Sequence, residues 1–86
     1  MSIIVRDPTD YEKVEMLRKP TWECGVSKFD WHYDNEETCL LVEGEVTVTY
    51  DGGSVLFKAG DYVIFHEGLS CIWDVRVPVK KHYIFK

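Results

Sequence analysis

From Pro20 onward the chain alternates apolar and polar residues in short runs, and most of those runs end at a glycine. A period of two broken by turns restricts such a chain to antiparallel β-structure, because successive side chains of a strand point to opposite faces. Phe29, Trp31 and Tyr33 alternate with polar neighbours, and Glu37-Thr38-Cys39-Leu40-Leu41-Val42 is a dense run closed by Glu43-Gly44. Val46, Val48 and Tyr50 then alternate with Glu45, Thr47 and Thr49. Asp51-Gly52-Gly53 supplies a hairpin turn, since glycine reaches the required positive φ cheaply. Ser54 to Phe57 returns, Ala59-Gly60-Asp61 turns again, and Tyr62-Val63-Ile64-Phe65 reads as a short buried strand. After the His66-Glu67-Gly68-Leu69 turn, Cys71, Trp73 and Val75 alternate; Pro78 interrupts, and Val79 to Phe85 closes the chain. Seven to nine short strands are expected, in an all-β sandwich or barrel that closes on itself, because open edges invite aggregation.

Only the first 20 residues depart from this pattern. Thr9, with Glu12 three residues on, forms a capping-box sequence. Tyr11, Val14 and Leu17 or Arg18 follow at helical spacing, and Lys19-Pro20 ends the run. The expected organisation is a single domain over 1–86, with an N-terminal arm and one short helix in 1–20 and the β-barrel in 21–86.

Composition narrows the function. A chain of 86 residues holds one core. Its ten basic and fifteen acidic residues leave a formal charge of −5, the wrong sign for gripping nucleic acid or an anionic membrane. No apolar run approaches the ~20 residues of a spanning helix. Cys24, Cys39 and Cys71 are too few and too odd in number for a disulfide framework. Met1 to Pro8 carries neither a basic leader nor an apolar run of signal length, so a cytoplasmic setting is expected. Charge is uneven along the chain. Seven acids and no base lie between Lys28 and Lys58, whereas only Arg76, Lys80, Lys81 and Lys86 follow Asp74. Most of the acids read as a solvated face; the alternative is that the two regions meet, within one barrel or across a dimer interface.

The spacing from Gly25 to Val75 carries the functional argument. Gly25 is followed by Trp31, Tyr33, Glu37 and Gly44; fifteen residues later, Gly60 is followed by His66, Gly68, Cys71 and Val75. This spacing resembles the two-part signature of the cupin superfamily, with the glycines and the acid in register. Trp22, Phe29-Asp30-Trp31, Tyr33, Glu37-Thr38-Cys39, Gly60-Asp61, Gly68-Leu69-Ser70-Cys71, Trp73 and Lys81-His82-Tyr83 further resemble the small cupins similar to the (S)-ureidoglycine aminohydrolase domain. The resemblance implies a cupin jelly-roll β-barrel, often paired into a homodimer. For the enzyme of that name it implies release of ammonia from a ureido compound with help from Mn²⁺.

The departures from the signature shape the expected site. Metal-binding cupins place three His and one Glu where this chain has Trp31, Tyr33, Cys71 and Glu37. Indole and phenol are poor ligands, and Glu37 with Cys71 falls short of the four donors of a zinc site or the six a manganese site prefers. No cofactor is therefore expected; if a divalent metal such as Mn or Zn binds, Glu37 and Cys71 would hold it. Residues two apart share a face, so Glu37 carries Cys39 and Leu41 inward and Cys71 carries Trp73 and Val75, while His32 faces out between Trp31 and Tyr33. The expected ligand-binding residues are Trp31, Tyr33, Glu37, Cys39, Cys71 and Trp73, around a small polar metabolite. A carboxyl among apolar rings is disfavoured as an anion, which makes Glu37 the candidate acid or base; the alternative is a structural, hydrogen-bonded carboxyl. Cys71 is a weaker candidate nucleophile beside an acid, and a Cys39–Cys71 bridge is a further alternative. His66 is expected at an exposed turn and Cys24 at the surface. Either Lys81 or His82 reaches the pocket to compensate Glu37, and strand parity admits only one of them. Two other functions stay open beside metabolite binding: the metal-dependent enzyme, and a non-catalytic dimeric partner-binding module with a solidly filled barrel.

Overall fold

The computed structural model describes residues 2–86. Strand β1 (Ile3–Arg6) and helix α1 (Asp10–Met16) precede β2 (Thr21–Cys24), β3 (Ser27–His32), β4 (Glu37–Tyr50), β5 (Gly53–Lys58), β6 (Tyr62–Phe65) and β7 (Ser70–Phe85). All pairings are antiparallel, and β4 and β7 are the organising strands. The first part of β4 lies between β6 and the last part of β7, with β1 and β2 outside them; the second part of β4 lies between β5 and the first part of β7, with β3 outside. The chain thus forms two sheet halves joined through two long bent strands. Side chains from both halves, among them Val63, Phe65, Val46, Phe57 and Val75, share one buried cluster. This is the antiparallel all-β arrangement that the strand pattern predicts, in the cupin form that the resemblance implies.

The bend has a local cause. Cys39 and Leu41 face the core in the first part of β4, and Val46 and Val48 face it in the second, so inward parity changes from odd to even. In β7 the inward residues stay odd, from Cys71, Trp73 and Val75 to Val79. The pairing absorbs this mismatch between Leu41↔Lys81 and Val46↔Val75, where five steps along β4 oppose six along β7. That is a bulge, which bends a strand and increases its twist. Gly44, at φ +98°, sits in it against the carbonyl oxygen of Pro78 and would place a Cβ 2.7 Å from the Val79 Cα. Pro78 tolerates the site because a bulge needs no ladder N–H from it.

The helix forms as expected at its start. Thr9 Oγ1 accepts from the Glu12 N–H at 3.1 Å, and Glu12 Oε1 accepts from the Thr9 N–H at 2.9 Å. Arg6 holds the same carboxylate through two 2.7 Å bonds, keeping it at about 2, well below the usual range. The helical face differs from the sequence expectation: Tyr11, Val14 and Leu17 are exposed, and Met16 is the residue that packs, against Leu40 and Tyr62. The helix therefore covers the outer face of β4 and β6, and Glu37 to Leu41 are buried on both faces of the strand. The arm is also more than an arm. Ile3 to Arg6 pairs with β6 and extends the sheet, because unpaired N–H and C=O groups along β6 offer a ladder to any nearby extended chain.

The acidic and basic regions meet within the barrel, through β4 and β7. Glu43 pairs with Lys80, and Glu37 reaches Lys81. No described helix is long and apolar enough to cross a membrane.

Gly44→Ala is expected to destabilise the fold by about 2–4 kcal/mol through positive φ plus backbone contact. Gly60→Ala, at the same φ of +98° but with nothing within 4 Å of the added Cβ, should cost clearly less. Urea denaturation of the two variants checks this; equal losses would mean that the Gly44–Pro78 contact contributes nothing.

Candidate functional site

The strands β2, β3 and β7 curve around a cavity of about 170 Å³ at one end of the barrel. Trp22 comes from β2, Phe29 and Trp31 from β3, and Trp73, Lys81, Tyr83 and Phe85 from β7; Tyr33 and Glu37 complete the lining. Strand parity explains the set. Phe29, Trp31 and Tyr33 share one face, and so do Lys81, Tyr83 and Phe85. Tyr33 lies just beyond β3, where its backbone exchanges hydrogen bonds with the following turn: its N–H donates to Leu69 O at 2.9 Å, and Gly68 N–H donates to its carbonyl at 2.7 Å. That clasp holds the ring inside, stacked on Phe65 with centroids 4.7 Å apart.

Aromatic rings form most of the wall. Trp73 is buried and meets Trp22, Phe29, Phe57 and Phe65 at centroid distances between 5.6 and 6.1 Å. Its Nε1–H donates to Tyr33 Oη at 3.2 Å, which satisfies the indole and fixes both rings. Burial pushes the Tyr33 phenol far above its ordinary value, with the charge of Glu37 adding to the shift, so it stays protonated.

The polar floor is a single ion pair. Lys81 Nζ donates to Glu37 Oε2 at 2.6 Å, with the two residues only 6% and 1% exposed. Lys81 stands opposite Leu41 in the ladder, whereas Glu37 stands opposite Phe85, four residues further along β7. The lysine side chain therefore runs along the sheet to reach the acid, passing 5.0 Å from the Trp22 ring centroid and 4.7 Å from that of Trp73. Both indole faces attract the ammonium. Glu37 Oε1 accepts no hydrogen bond from a described residue, yet no fully enclosed side-chain oxygen or nitrogen lacks a partner among them. Oε1 is accordingly not fully enclosed, on a residue that lines the cavity.

Trp31, Tyr33, Glu37 and Trp73 thus line one cavity, as the spacing implies, although Trp31 sits at the rim and is 47% exposed. The other two expected ligand-binding residues, Cys39 and Cys71, do not line it. Both are buried free thiols packed in the core cluster. Burial pushes Cys39 up to about 12 and Cys71 up to about 11, the latter with help from Glu37, so neither supplies a thiolate near neutral pH. Of the two candidates for compensating Glu37, Lys81 faces inward; His82 points the other way, its Nδ1 2.9 Å from Lys19 O. His32 faces out and bonds Ser70 Oγ at 2.7 Å, and His66 is exposed; Cys24 is half-buried, 3.2 Å from Ser27 Oγ. Trp22, Phe29, Tyr83 and Phe85 were not expected in the wall. The alternation of Val79, Lys81, Tyr83 and Phe85 carries the signal: a lysine amid an apolar face needs a buried partner.

Lys81→Met leaves the Glu37 carboxylate buried without its counter-charge and is expected to cost about 3–5 kcal/mol, whereas Glu37→Leu combined with Lys81→Met should recover most of that loss. A double-mutant cycle by chemical denaturation measures it; additive losses would show that the two groups do not interact.

The family model of the EutQ-like cupin domain matches residues 12–83. A DUF861 family protein from Thermotoga maritima is similar over 99% of this chain and 100% of its own, at 40% identity and a TM-score of 0.92. A putative ethanolamine utilization protein Q from Salmonella typhimurium is 25% identical over 76% of this chain and 53% of its own, with a TM-score of 0.69. The Clostridium difficile EutQ protein, at 17% identity, shares the fold over 96% of this chain and 66% of its own, with a TM-score of 0.71. No curated protein matches the chain. With the family model matching residues 12–83 and a 40% identical relative covering both chains almost end to end, the chain belongs to the EutQ-like cupin domain family.

Proposed function

We propose that this protein binds a small organic metabolite in the aromatic cavity, anchored by the Glu37–Lys81 pair and without a resident metal. The observation that carries the reading is a buried, cavity-lining carboxylate with one oxygen neutralised by an ammonium 2.6 Å away and the other without a hydrogen-bond donor among the described residues. An open acceptor in an otherwise apolar chamber is unfavourable when empty of a donor and favourable when a ligand supplies one. Water can fill that role weakly; a ligand that also covers the rings gains apolar burial as well.

The donor set argues against a divalent cation. Trp31 and Tyr33 stand where imidazoles would coordinate, burial keeps the Cys71 thiol protonated, and Lys81 already occupies the cation's place beside Glu37. No group of three or more His, Cys, Asp or Glu side chains suited to a metal occurs among the described residues. A ureidoglycine aminohydrolase-like reaction that depends on Mn²⁺ therefore has no ligand set to draw on here. A partner-binding module with a filled barrel predicts no cavity, and one is present.

Ligand-observed NMR with a library of small polar ring compounds tests the proposal, alongside metal analysis of protein purified without chelator. Hits that weaken at least severalfold in Glu37→Gln and in the rim variant Trp31→Ala support it. A stoichiometric metal lost in Glu37→Gln, or hits indifferent to both variants, would overturn it.

A further inference from the structure

We infer that the ligand is a neutral, planar, single-ring compound with a cis-amide edge, that is, a ring N–H directly beside a ring C=O, as in a lactam or cyclic imide. The inference rests on the binding proposal above and adds the chemical class.

Size comes first. The cavity is about 170 Å³, and an apolar protein cavity of about 150 Å³ accommodates benzene. One six-membered ring with one or two substituents therefore fits it. Shape follows from the walls. Phe29 and Trp73 lie nearly parallel, 14° between planes, while Trp22 meets them edge-on at 67° and 77°. Flat rings and edges at right angles to them suit a planar aromatic guest, which takes offset-stacked and edge-to-face positions against them.

Charge then removes both kinds of ion. Among the described residues, Glu37 and Lys81 are the only cavity-lining groups of full charge, and they cancel at 2.6 Å. An anion drawn to the ammonium would also meet the carboxylate, and a cation drawn to Oε1 would meet the ammonium. Neither would find a net counter-charge for the water it loses. A neutral dipole matches the pair. Oε1 needs a donor, and the ammonium has three N–H bonds of which Oε2 takes one, leaving it able to donate again. A ligand that places a donor and an acceptor side by side satisfies both at once, with its N–H on Oε1 and its C=O on Nζ. The cis-amide edge of a lactam is the simplest neutral planar group with that arrangement.

The test uses four single-ring probes of similar size on the intact protein: 2-pyridone, N-methyl-2-pyridone, benzoate and benzamidinium. The readout is the indole N–H resonances of Trp22 and Trp73 during titration. We expect 2-pyridone to shift both, and the N-methyl compound, which leaves Oε1 without a donor, to bind about tenfold or more weakly. The two ions should bind more weakly than 2-pyridone. If benzoate, benzamidinium or the N-methyl compound binds as tightly as 2-pyridone, the ligand class is wrong while the cavity still binds rings. If no probe moves either indole and the wider screen also finds nothing, the binding proposal falls with it.

Discussion

A carboxylate and an ammonium held together in a chamber of aromatic rings govern what the rest of this small barrel must supply. Taking each charge out of water costs several kcal/mol, and the pair returns that cost only when the geometry is close and the remaining polar valences are answered. Here the geometry is close, at 2.6 Å, and the lysine's remaining side faces two indole rings. Glu37 Oε1 and the remaining N–H bonds of the ammonium have no hydrogen-bond partner among the described residues. A residue pair that served stability alone would be more cheaply replaced by apolar side chains of the same volume.

The fold brings these groups together through its two long strands. Glu37 opens β4 and Lys81 lies late in β7, 44 residues apart in sequence, and they meet because the start of β4 pairs directly with the end of β7. Without the bulge the two parts of β4 could not both turn their apolar side chains inward, since inward parity differs across it. Helix α1 closes the other face of the same strand segment, so Glu37 sits in a stretch buried on both sides. Sheet geometry, helix packing and the ion pair are therefore one arrangement.

Much of this was legible in the sequence. Alternation gave the strands and their inward faces, the Thr9–Glu12 capping box gave the helix start, and the glycine spacing pointed to the right family of folds. Parity also showed that Lys81 and His82 could not both face Glu37. The choice between them was left open because Pro78 breaks the run between Val75 and Val79, although the inward residues of β7 stay odd across it and so place Lys81, not His82, inside. Facing inward put Cys39 and Cys71 in the interior, but whether an interior residue borders a cavity depends on the packing of its neighbours, which alternation does not show. The N-terminal strand was missed because Ile3 to Arg6 is too short to show alternation; its partner, β6, decides its structure.

The central claim, a charged lysine held against Glu37 between two indoles, is most directly tested by ¹⁵N-resolved NMR of the Lys81 side-chain ammonium. The account predicts an ammonium signal that exchanges slowly with water, with its protons shifted upfield by the Trp22 and Trp73 rings and lost from that position in Glu37→Gln. A Lys81 signal with the shift and rapid exchange of a solvent-exposed lysine, unchanged in Glu37→Gln, would contradict it.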